Sequence, residues 1–135
     1  MGLFSGTRPK DLGLTAGRFK GCPNKPNCVS SQAATDNSHY IAPLLFGGDA
    51  AVAWKALHSV ISGMERSEII KDEPGYVYAE FTTRLMGYID DSEFCLDAPA
   101  QRIHVRSASR LGYRDFNVNR ERIETIRTRL HAALG

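Results

Sequence analysis

From residue 76 onward, apolar positions alternate with polar and aromatic ones. Val77, Ala79, Phe81 and Leu85 fall on one side; Tyr76, Tyr78, Glu80, Thr82 and Arg84 fall on the other. A period of two over this length predicts a strand with one face toward a core. Residues 67–71 predict a shorter strand before it, with Asp72, Glu73, Pro74 and Gly75 as the connecting turn. Residues 86–91 break the alternation and are expected to turn, which puts Asp90 and Asp91 in a loop. EFCLD then gives a third strand with Phe94 and Leu96 inward, and RIHVRSAS a fourth with Ile103 and Val105 inward. A hairpin centred between Pro99 and Ala100 sets Leu96 opposite Ile103, Phe94 opposite Val105 and Glu93 opposite Arg106. Apolar pairs then share one face and an ion pair sits on the other.

Two helices flank these strands. Ala53, Trp54, Leu57, Val60, Ile61 and Met64 recur at helical spacing, with Asp49 as the N-cap and Gly63 as a stop. A second helix runs from about Arg120, with Ile123, Ile126 and Leu130 as its stripe, Asn119 as N-cap and Val118 stapled to Ile123. The predicted fold is α+β: a two-layer sandwich in which a four-stranded antiparallel meander carries both helices on one face. Residues 1–48 show neither period and read as an extended arm, so the chain is one domain with an arm (1–48) and a core (49–135). Ile41, Leu44, Leu45 and Phe46 need burial, so the arm is expected to be anchored to that core.

Composition narrows the classes of function. With 135 residues, 42% hydrophobic and 24% charged, the chain has the size and balance of a water-soluble domain. It holds no run of roughly 18 apolar residues that could span a bilayer. No secretory leader is evident at the N-terminus, and Gly6 stands where a myristoylation signal needs Ser or Thr; the expected location is cytoplasmic. A net charge of +2 is too mild to point to nucleic acid. The three cysteines, Cys22, Cys28 and Cys95, are an odd number. The PNKPN turn between the first two allows a bridge in an oxidising compartment, but free thiols are the expectation in a reducing cytoplasm. His39 reads as a hydrogen-bonded loop histidine.

One stretch carries more charge than folding requires. Residues 106–122, RSASRLGYRDFNVNRER, hold Arg106, Arg110, Arg114, Arg120 and Arg122. Arg120 and Arg122 fall at a helix start, where the backbone is already electropositive and carboxylates are preferred. Counter-charge is therefore needed. It can come from inside, through Asp90, Asp91, Glu93, Asp115, Glu121 or Glu124, or from a bound phosphate, sulfate or carboxylate cradled by the arginines and Asn119. The other sheet face gathers Arg84, Arg106 and Arg110 beside His104, Tyr78, Glu80, Glu93 and Cys95; an arm laid over it would require Glu80 and Glu93 to pair the arginines.

CPNKPNCVSS, DDSEF, RSASRLGYRDFNVNRER and the IR that follows together resemble the family named domain of unknown function 1499, and the resemblance runs from residue 21 to residue 130. Its members are small bacterial and chloroplast proteins, some preceded by signal or membrane segments. The resemblance implies no activity and carries over no catalytic residue. Asn117 stands where members have Gly, which implies a left-handed backbone there. The leader-bearing members imply that a bridge between Cys22 and Cys28 is compatible with the family.

The expected function is a binding or scaffold domain with an arginine-rich site for an anionic small molecule or a partner's carboxylate. Two alternatives stand beside it: an enzyme acting on a phosphate- or carboxylate-bearing molecule through Asp90, Asp91 and Glu93, and a purely structural domain whose arginines pair internally. Ser107, Ser109 and Cys95 have no evident base, so no nucleophile is assigned. The sequence assigns no metal, no cofactor and no oligomeric state.

Overall fold

The alternation at residues 76–82 becomes an interior strand of a sheet covered on both sides. The computed structural model of the chain describes residues 6–84, 86–111 and 117–135. In chain order the elements are β1 (Cys28–Ser30), β2 (Leu44–Leu45), α1 (Ala50–Ser62), β3 (Ser67–Glu73), β4 (Tyr76–Thr82), β5 (Ile89–Asp97), β6 (Arg102–Ser109) and α2 (Val118–Leu134). The fold is α+β, with two helices and one antiparallel sheet ordered β1-β6-β5-β4-β3, β2 also lying on β6. The β5–β6 hairpin has the register expected from its side chains: Leu96 faces Ile103, Phe94 faces Val105 and Glu93 faces Arg106.

The sheet has six strands, not four. Both extra strands come from the arm: Cys28–Ser30 pairs with residues 106–108, and Leu44–Leu45 with residues 102–103. Segments of three and two residues are too short to establish a period, which is why the arm reads as structureless. Between them Ser31 exchanges bonds with Val105, donating from N to its carbonyl and accepting its N–H on Oγ, at 2.9 and 2.8 Å.

Both helices bury their apolar stripes on the face of Val77, Ala79, Phe81, Phe94, Ile103 and Val105, through Leu57, Ile61, Ile123, Ile126 and Leu130. Each such side chain contributes about 1.5–3 kcal/mol of hydrophobic stabilisation. Ile41, Leu44 and Phe46 of the arm enter the same core. Asp49 caps α1, its Oδ1 accepting from Ala51 N at 2.8 Å. The second face is also covered: Leu12 and Phe19 pack on Tyr76 and Tyr78, so a third layer replaces the two-layer sandwich. That double cover explains why every residue of β4 from Tyr76 to Phe81 is buried.

Four local expectations change. Asp90 and Asp91 lie within β5, not in a turn. The N-cap of α2 is Asn117, whose φ of 64° is the left-handed backbone expected there, while Asn119 lies inside the first turn and is fully buried. Cys22 and Cys28 form a disulfide instead of remaining free thiols; their Cα atoms are 5.7 Å apart across the PNKPN turn. β4 ends at Thr82, so Arg84 lies beyond the strand and is exposed. Leu85, Arg114 and Asp115, assigned roles from the sequence, lie outside the described residues.

Candidate functional site

Strand alternation sends the consecutive acids of β5 to opposite layers. Asp90 pairs with Arg122 of α2 at 2.7 Å, on the helix side. Arg122 also donates to Asn119 Oδ1 at 3.2 Å, and its guanidinium lies 4.7 Å from the centre of the Phe81 ring. Ser107 donates to the same Asn119 oxygen at 2.6 Å, which leaves Ser92 to donate to Ser107 at 2.7 Å. Asn119 Nδ2 reaches Ser109 Oγ at 3.0 Å and the Asn27 carbonyl at 3.4 Å. This is a satisfied polar network between sheet and helix. Ser107, fully buried and committed to an amide oxygen, has no base beside it and is not placed to act as a nucleophile.

On the arm side, Arg110 bridges two buried acids, Nη2 lying 2.7 Å from Asp91 Oδ1 and 2.8 Å from Glu80 Oε2. Arg8 of the arm pairs with Glu80, and the Tyr78 hydroxyl lies between Asp91 and Glu80. Burial opposes ionisation of Glu80, yet hydrogen bonds from Arg8, Arg110 and Tyr78 outweigh it and hold its pKa at about 2. Burial, with the Asp91 carboxylate second, pushes the Tyr78 phenol up.

The second arm-side node is less complete. Glu93 Oε1 accepts from the Tyr76 hydroxyl at 2.6 Å and from Gly13 N at 2.8 Å. Its other oxygen lies 3.8 Å from Arg106 Nη1, too far for a hydrogen bond. Arg106 Nη2 reaches the Gly21 carbonyl at 3.4 Å, and Arg106 Nε has no hydrogen-bond partner among the described residues. Burial pulls the Arg106 pKa down, and Glu93, with Asp11 and Asp91 behind it, offsets this only in part.

The structure divides the arginines predicted to act together. Arg106 and Arg110 stand on the arm side with Asp91 and Glu93, whereas Arg122 and Asn119 stand on the helix side with Asp90. Arg120 is in a third place, donating to the carbonyls of Tyr40 and Ser38 at 2.9 and 3.0 Å and so pinning the arm before β2. Glu124, considered as a counter-charge for the helix start, instead pairs with Arg127 at 2.8 Å. His39 is a loop histidine, its Nδ1 donating to the Cys28 carbonyl at 2.9 Å. Because Asp90 faces away from Asp91 and Glu93, these three carboxylates do not converge on one point. Among the described residues no group of three or more His, Cys, Asp or Glu side chains is arranged to hold a metal ion.

Two concavities bear on chemistry. The larger, about 650 Å³, lies between the end of α1, the end of β4 and α2; Arg66, Arg84 and Arg129 on its walls are exposed. The smaller, about 280 Å³, lies beneath the arm with Lys20, Lys25, Arg106, Arg110 and Asp91 on its polar wall and Leu12 and Leu111 on its apolar one. Lys20 and Lys25 have no role in the sequence reading. The signal that brings Lys25 here is the disulfide, which folds the PNKPN turn back toward β6.

No curated protein is matched by this chain, and no solved structure is matched either. Residues 18–130 match the family described as a protein of unknown function, DUF1499. That span takes in the disulfide turn, all six strands and both helices up to residue 130, and the chain belongs to the DUF1499 family.

Proposed function

We propose that the chain is a small binding domain whose cavity beneath the arm takes an oxyanion, a carboxylate or phosphate group, on Arg106. The observation that carries this reading is Arg106 itself: 3% exposed, its Nε without an acceptor among the described residues, on the wall of a cavity of about 280 Å³ beside Lys20 and Lys25. A buried donor left without an acceptor costs about 1–3 kcal/mol, more when charged. An oxyanion would supply the acceptor that Nε lacks and add to the charge that Glu93, at 3.8 Å, and the carboxylates of Asp11 and Asp91 supply only in part. The volume equals that of roughly nine waters, enough for a small organic acid lying against Leu12 and Leu111.

The other members of the predicted anion site fall to different roles in this reading. Arg110, Arg120 and Arg122 already meet internal acceptors, and Arg110 borders the cavity while holding Asp91 and Glu80. A scaffold reading is favoured by one observation, the pairing of Arg8 and Arg110 on Glu80, which fastens the arm to the sheet without any ligand. The whole chain acts as one unit in either case. No described helix is long and apolar enough to cross a membrane, and the Cys22–Cys28 bridge favours an oxidising compartment over the cytoplasm.

The test is thermal unfolding with acetate, benzoate, sulfate and inorganic phosphate on the native chain, Lys20→Ala and Arg106→Lys. At ten times Kd a bound anion adds about 1.4 kcal/mol, a rise in Tm of about 3–6 °C for a chain this size. The rise is expected in the native chain, reduced in Lys20→Ala and lost in Arg106→Lys. No response to any of the four anions, or an equal response in Arg106→Lys, rejects the reading.

A further inference from the structure

We infer that the Cys22–Cys28 disulfide gates the cavity beneath the arm, so that the anion is held in the oxidised protein and released on reduction. The inference rests on the anion-site reading above. The bridge and the cavity are built from the same loop: Pro23, Lys25 and Asn27, all inside the ring closed by the disulfide, line the cavity. Lys20, just before that ring, lines it too, and the Gly21 carbonyl next to Cys22 is an acceptor for Arg106.

The two ends of the ring are held differently. At the Cys28 end the chain is in β1, with Cys28 paired opposite Ala108, and the Asn27 carbonyl accepts from Ser109 N at 2.9 Å. At the Cys22 end the chain is next anchored at Phe19, which packs on Tyr76 and Tyr78 and donates from N to Gln32 Oε1 at 2.8 Å, and at Lys20, which pairs with Asp11 at 2.6 Å; Gly21 and Cys22 themselves are held by the disulfide and the 3.4 Å contact from Arg106. Opening the bridge therefore leaves Phe19, Lys20, Asn27 and Cys28 in place and loosens the stretch between them that carries Gly21, Cys22 and Pro23. The part of the wall at residues 21–23 is then no longer fixed, and a bound anion must order it at its own cost.

The chemistry needs a dithiol reductant. Its thiolate attacks Sγ of Cys22, the half-exposed partner, breaking the S–S bond; buried Cys28 leaves as a thiolate and takes up a proton. The reductant's second thiol then displaces Cys22 from the mixed disulfide, so two electrons enter the protein and the reductant ends as a cyclic disulfide. Because coupling between sites is reciprocal, a bound anion must protect the bridge by the same factor by which reduction weakens the anion.

The experiment titrates inorganic phosphate and acetate into the full chain in three forms: oxidised, reduced with dithiothreitol and checked by thiol count, and Cys22→Ser/Cys28→Ser, with circular dichroism recorded for each. Binding at least tenfold weaker in both open forms that keep the oxidised far-ultraviolet spectrum supports gating. A second measurement needs only the native oxidised protein: the dithiothreitol concentration that opens half the bridges is expected to rise at least tenfold at saturating anion. Equal affinity in closed and open forms, or a reduction midpoint indifferent to an anion that binds, overturns gating and leaves the anion site standing. Absence of binding in the oxidised form overturns both.

Discussion

Asp90 and Asp91 are neighbours in sequence and serve opposite layers: Asp90 meets Arg122 of α2 at 2.7 Å, and Asp91 meets Arg110 at 2.7 Å under the arm. One dipeptide of β5 thus ties the helix layer and the arm layer to the same strand. Both acids are almost fully buried, so each depends on its arginine. Arg122→Met removes the guanidinium that Asp90 meets at 2.7 Å and is expected to cost about 3 kcal/mol in urea unfolding. Adding Asp90→Asn should restore a large part of that loss. If the double variant is as unstable as the sum of the two single variants, the pair is not coupled as described.

Acid stability follows from Glu80. Its carboxyl titrates at about 2 in the fold against an ordinary value of 4.5, so the unfolded chain takes up its proton first as pH falls. The contribution is full above about pH 4.5, falls as pH drops toward 2, and amounts to on the order of 3 kcal/mol. Glu80→Gln should flatten the dependence of stability on pH between about 5 and 2. An unchanged slope in the variant counts against the Arg8–Glu80–Arg110 arrangement.

Asn119 distinguishes a cap from a buried network. If it only capped α2, Asn119→Ser would be nearly neutral, since both residues are good caps. In the network, Ser cannot span from Ser107 and Arg122 to Ser109 and Asn27, and the loss is expected to exceed about 2 kcal/mol. Asn117→Gly, at φ 64°, should change stability by less than about 1 kcal/mol. Chemical unfolding of the two variants side by side decides it.

The disulfide closes a short loop, with a sequence separation of six. Chain entropy then limits its effect, and Cys22→Ser/Cys28→Ser is expected to lower stability by about 2 kcal/mol without unfolding the sheet. Loss of the whole fold, seen by circular dichroism at 25 °C, would mean that β1 cannot pair with β6 unaided.

What could be read from the sequence is what repeats along it. The alternation from Tyr76 to Phe81 and the apolar pairing of Phe94 with Val105 give the register of the sheet, because a one-residue slip would turn every side chain over. Asp90 and Asp91 misled because adjacent acids are rare in strands, and the arginines that make them tolerable lie 32 and 19 positions away. Asn119 misled for a related reason: its residue type suits a cap, and only the neighbouring Ser107, Ser109 and Asn27 reveal a buried amide. Arg106, Arg110, Arg120 and Arg122, close in sequence, are dispersed because strand alternation and the helix turn point them in three directions.

Because β6 is the surface on which both β1 and β2 lie, the order of synthesis runs against the order of assembly. Residues 28–45 leave the ribosome well before residues 102–108 exist to receive them, so these segments must wait unpaired while the hairpins behind them form. The last strand made is the template for the first, and closure of this fold is a long-range, late event.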